Sequence, residues 1–98
     1  MASRNAYSSE SAGPTIQRLL TERGMSYREL AGRAGLSAGY LNHLAHEHRP
    51  SPSNEVLARI ARAFDVTPEH FREYRIRTIA QKLEESPALV DRLFKQLR

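Results

Sequence analysis

Residues 27–46 read YRELAGRAGLSAGYLNHLAH, and the fold is decided there. Ser26 precedes the stretch and Glu29 lies three residues beyond it, the pattern of a capping box: the serine hydroxyl accepts from the amide three residues on, and the glutamate carboxylate reaches back to the serine amide. A helix is predicted to start there, with Leu30, Ala31 and Ala34 on one face. It meets Gly35, a residue that can adopt positive φ and reverse the chain at little cost. Ser37 is placed to cap a second helix, whose inward positions are Leu41 and Leu44 and which ends near Ala45 or His46. Two helices joined by so tight a turn cross steeply only if small residues sit where the backbones approach and apolar ones where the pair rests on the domain. This assignment meets that demand and leaves Ser37, Ala38, Gly39, Tyr40, Asn42, His43 and His46 on the outer face of the second helix.

Upstream, residues 1–13 carry Ser, Gly, Asn and Ala with almost nothing to bury, so a flexible arm is expected. Pro14 suits a first helical turn, and Ile16, Leu19 and Leu20 form the stripe of a helix that Gly24 ends. Downstream, the two prolines of His48-Arg49-Pro50-Ser51-Pro52 impose a loop. Ser53 then caps a helix with Val56, Leu57, Ile60, Ala61 and Phe64 inward and Arg59 and Arg62 outward. Thr67-Pro68 is predicted to open a short fifth helix holding Phe71 and Tyr74. From Arg75 the stripe changes to Ile76, Ile79, Ala80 and Leu83. After Ser86-Pro87 a further stripe runs through Leu89, Val90, Leu93, Phe94 and Leu97.

A chain of 98 residues holds one domain with one modest core. It has no cysteine, hence no disulfide, thiolate metal site or cysteine nucleophile, and a reducing, cytoplasmic setting is expected. The opening segment has no apolar run, and no window approaches the roughly 20 apolar residues of a membrane span. The net charge is +4, and all its basic side chains except Lys82 and Lys95 are Arg. Arg binds phosphate with two parallel hydrogen bonds, although a GC-rich genome would produce the same bias. Nothing resembles a glycine-flanked nucleophile, a phosphate-cradling loop or a catalytic carboxylate pair, so no enzyme and no cofactor are expected. His43 and His46 share a helical face near His48. Apart from Glu47 no carboxylate or thiolate stands at a suitable spacing, so no metal is expected there either.

The quoted stretch resembles the helix-turn-helix of the lambda-repressor-like family, which takes in Cro, phage repressors and the XRE-type bacterial regulators. The small residue at its fifth position (Ala31), the glycine at its ninth (Gly35) and the aliphatics at its fifteenth and eighteenth (Leu41, Leu44) follow that pattern. RPSPSNEVLARIARAFDVTPEHF, residues 49–71, resembles the family's fourth helix and the entry to its fifth. The resemblance runs from about Pro14 to Tyr74. It implies that the helix at about 37–46 enters the major groove of double-stranded DNA while the Tyr27 helix lies across the backbone. Base readout then falls to Ala38, Gly39, Asn42 and His43, and phosphate contact to Tyr27, Arg28, Ser37, Tyr40, His46, His48 and Arg49. Tyr27 stands where the family often has Gln. Ala38 and Gly39 occupy groove positions where relatives commonly carry long polar side chains, so recognition there rests on close approach, a thymine methyl or DNA shape. Glu47 stands where the family usually has Gly, and its carboxylate repels phosphate unless it turns toward an Arg. The blander assignments are Tyr27 and Tyr40 as aromatics rimming the core, and Arg59, Arg62, Arg72, Arg75 and Arg77 as a solvated helix face.

The expectation is an all-α chain: an arm at 1–13, a five-helix DNA-binding domain at 14–74, and a helical extension at 75–98. The resemblance implies a bacterial or phage-type transcriptional regulator, a repressor. It would bind as a homodimer through Leu89, Leu93, Phe94 and Leu97, with two recognition helices about 34 Å apart. The rival is an antitoxin or adaptor that holds a protein partner through the C-terminal helices.

Overall fold

The computed structural model describes residues 7–98, which form six α-helices and one 3₁₀ turn, with no strand among the described residues. α1 (Ala12–Arg23) ends at Gly24 as the sequence indicates, and α2 (Tyr27–Ala34), α3 (Ala38–Ala45) and α4 (Asn54–Ala63) follow the caps legible in it. The capping box at α2 is formed, with Ser26 Oγ accepting from the Glu29 amide at 3.0 Å and Glu29 Oε1 accepting from the Ser26 amide at 3.4 Å. Ser37 and Ser53 cap α3 and α4 in the same way, accepting from the amides of Tyr40 and Val56. Gly35, at φ +71, makes the turn of the helix-turn-helix. One core, built chiefly on Ile16, Leu19, Leu30, Leu41, Leu57, Ile60, Phe64 and Phe71, joins the first four helices to the segment after α4.

Two expectations are corrected. The first concerns the arm. α1 begins at Ala12, ahead of Pro14, and residues 7–11 are tied down; residues 1–6 of the expected arm lie outside the described residues. Ser8 is buried, its hydroxyl shares a 2.6 Å hydrogen bond with Thr15 Oγ1, and its amide donates to the His70 carbonyl at 2.9 Å. Arg75 donates to the Ser8 carbonyl at 2.6 Å and lies over the Tyr7 ring, and Arg72 donates to the Ser9 carbonyl. This strap has little apolar surface to bury, and hydrogen bonds to guanidinium groups, stronger than neutral ones, offset the entropy of ordering it.

The second concerns the fifth helix. Thr67-Pro68 opens only a 3₁₀ turn (Pro68–His70), and α5 then runs unbroken from Arg72 to Glu84, through the boundary expected at Arg75. The break falls at Phe71, whose extended backbone turns its ring into the core. α6 (Pro87–Leu97) follows α5 and touches it, and neither helix contributes a fully buried side chain. No helix among the described residues is long and apolar enough to cross a membrane.

Candidate nucleic-acid interface

α3 is held from inside. Leu41, Leu44 and Ala45 are buried, Gln17 Nε2 caps the Ala45 carbonyl at 2.7 Å, and Arg59 donates to the Gly35 carbonyl at the turn. Gly13 brings α1 against the end of α3, since a Cβ there would lie 2.8 Å from the Ala45 carbonyl oxygen. Gln17 and Gly13 carry no mark in the sequence, and Arg59 reads there only as an outward charge, because their partners are 28, about 30 and 24 residues away and no local pattern points to them.

With its inner face fixed, α3 turns Gly39, Asn42 and His43 to solvent and leaves Ala38 half-buried. A Cβ at Gly39 would meet nothing within 4 Å, so the fold does not require a glycine there and the bare backbone is a property of the surface. The first-turn amides of α3 lack intrahelical partners and carry the positive end of the helix dipole. Because Ser37 Oγ accepts from the Tyr40 amide at 3.0 Å, its own proton is left to donate outward.

Tyr27 and Tyr40 are half-buried and packed on the core, as the blander assignment has it. Burial pushes the Tyr27 hydroxyl above its ordinary pKa, which keeps it protonated and a donor well into alkaline solution. Arg28 is exposed beside it. At the other end of α3, His46, His48 and Arg49 are exposed. His46 Nδ1 lies 2.9 Å from the Asn42 carbonyl, which only accepts, so that nitrogen carries the proton. The His48 ring stands 6.0 Å from that of His43 and 6.2 Å from that of His46, and no group of three metal-ligating side chains is found among the described residues. Glu47 is exposed but does not turn to an Arg: its Oε2 accepts from Ser11 Oγ at 2.6 Å.

The arginines read as a solvated face are mostly clamps. Arg75 also donates to the carbonyls of Glu69 and His70, Arg77 grips the Pro52 carbonyl and Asn54, and Arg62 is exposed on the outer face of α4. Away from α3, Phe94 and Leu97 are 62% and 85% exposed, Leu93 is at the margin of exposure and Leu89 is half-buried. Val90 on α6 and Ile76 and Ile79 on α5 are also exposed, which the four-residue interface expected from the sequence did not include.

A family model for the Cro/C1-type HTH DNA-binding domain matches residues 15–75, well over half of the chain. None of the curated proteins matches it.

Proposed function

The chain belongs to the Cro/C1-type helix-turn-helix DNA-binding family, and from that premise we propose that it is a transcriptional repressor that binds a specific double-stranded operator as a homodimer, with α3 in the major groove. The observation that carries this reading is the asymmetry of α3: Leu41, Leu44 and Ala45 are locked inside, while Gly39, Asn42 and His43 face solvent. Asn42 and His43 donate to and accept from purine edges, Ala38 meets a thymine methyl, and Gly39 lets the backbone approach. Tyr27, Arg28, Ser37, Tyr40, His46, His48 and Arg49 hold phosphates on either side and set the register. Repression asks only that the operator be occupied.

Dimerisation follows from length. Eight helical residues span about 12 Å, about four base pairs, too short a site to be distinguished within a genome. A second copy doubles it. The exposed stripe of Leu93, Phe94 and Leu97, with Leu89 at its edge, is the surface on which that copy sits.

A fluorescence-anisotropy titration on operator duplexes selected from random DNA tests the reading. Binding falls steeply between low and physiological salt as condensed counterions are released. His43→Ala relaxes preference at one or two base pairs by about 1–3 kcal/mol, whereas Arg49→Ala weakens every sequence alike and flattens the salt slope by about one. A salt-indifferent affinity, or two variants with the same effect on every sequence, contradicts it.

A further inference from the structure

Ser11 stands at the N-cap of α1, yet its side chain makes no capping hydrogen bond. The first amide of that helix, at Ala12, is served instead by Glu73 Oε2 at 2.8 Å. The Ser11 proton goes to Glu47 Oε2 at 2.6 Å, across 36 residues of sequence.

Glu47 is fixed at both ends. Its amide donates to the Leu44 carbonyl at 3.0 Å and the His48 amide to that of His43 at 2.8 Å, a Schellman closure of α3 that fixes where its side chain departs. Its stem lies along α1, where a Cβ on Gly13 would come 2.7 Å from Glu47 Cγ. On the reading just given, on which this inference rests, the neighbouring His46, His48 and Arg49 meet phosphates. A carboxylate in their midst would oppose every one of those contacts.

We propose that Ser11 is a positioning residue for DNA binding: its hydroxyl holds the Glu47 carboxylate back against α1 and keeps the cationic exit of α3 clear for the DNA backbone. An acid is thereby carried beside the interface without repelling the ligand. Removing the hydroxyl takes no cap from α1 and leaves the carboxylate to swing among His48, Arg49 and the phosphates.

The test is a double-mutant cycle in the full chain, with a short duplex of arbitrary sequence as probe. Ser11→Ala weakens binding about three- to tenfold at low salt, and the loss shrinks as salt screens the repulsion. Glu47→Gln, which keeps an acceptor for Ser11 but loses the charge, binds at least as tightly as the parent. In the Glu47→Gln background Ser11→Ala has no further effect. A Ser11→Ala protein that binds like the parent overturns the proposal, as does a loss that persists undiminished beside Glu47→Gln, which would make the hydroxyl merely structural. Arg49→Ala is run alongside: if it leaves affinity unchanged, the assignment of the exit loop to phosphate fails and the proposal with it, whereas a weakened Arg49→Ala beside an unaffected Ser11→Ala sinks the proposal alone.

Discussion

Glu47 and Asp65 both hold the left-handed backbone, at φ +61 and φ +62, each just past the end of a helix. The surrounding bonds are alike. After α4, the Asp65 amide donates to the Arg62 carbonyl and the Val66 amide to that of Ala61, the counterpart of the closure at Glu47. A side chain in this conformation crowds its own carbonyl, and glycine relieves the crowding at the cost of a looser unfolded chain. The two sites differ in what the side chain does. Glu47 accepts from Ser11, while Asp65 is exposed at a turn closed by backbone bonds and by Arg23, which donates to the Phe64 carbonyl. Asp65→Gly is therefore expected to stabilise the fold by about 0.5–1 kcal/mol, seen as a thermal midpoint a few degrees higher with DNA affinity unchanged. A lower midpoint would mean that the Asp65 side chain contributes more to the turn than the backbone strain costs.

At the scale of elements, what must be exact is the seating of α1 on the end of α3, because that contact aims the surface proposed to meet DNA. Gly13 sets the distance. A Cβ there would lie 2.8 Å from the Ala45 carbonyl oxygen and 3.1 Å from that of Leu44, and backbone atoms do not move aside as a flexible side chain would. Gly13→Ala is accordingly expected to cost about 1–3 kcal/mol in denaturant unfolding and to weaken DNA binding further by tilting α3. Gly32→Ala makes the opposite case, since a Cβ in the middle of α2 meets nothing within 4 Å and helix propensity alone raises stability by about 0.5–1 kcal/mol. Equal signs for the two changes would show that the α1–α3 contact yields. What was legible in the sequence divides along the same line. Ser26, Glu29, Gly35, Ser37 and Ser53 act within three or four residues of themselves, so the helix-turn-helix and the exposed Asn42 and His43 could be read directly. The Ser8 strap under Arg75 bridges 67 residues and the Ser11 to Glu47 bond 36, distances over which periodicity carries no signal. The stop at Phe71 escaped for another reason: one extended residue between a 3₁₀ turn and a helix leaves the apolar spacing nearly intact.

At the scale of the whole molecule the chain has two parts with different debts to water. The helices up to Phe71 close a core, whereas α5 and α6 hold Ile76, Ile79, Val90, Phe94 and Leu97 in the open. Large apolar side chains exposed on two successive helices are the kind of surface that association removes from solvent. Since α6 lends nothing fully buried to the core, a charge placed on its exposed face should separate copies without unfolding either. Phe94→Asp is expected to be monomeric in sedimentation equilibrium at concentrations where the parent is dimeric, with the helical circular-dichroism signal retained. Its affinity for a single half-site should match that of the parent. On two half-sites one helical turn apart it should bind about 100-fold more weakly or worse, because the second recognition helix no longer arrives tethered to the first. A parent that sediments as a monomer, or a Phe94→Asp protein that keeps both its dimer and its two-site affinity, would show that the stripe joins no second copy, and that four base pairs per chain are all that α3 brings to the operator.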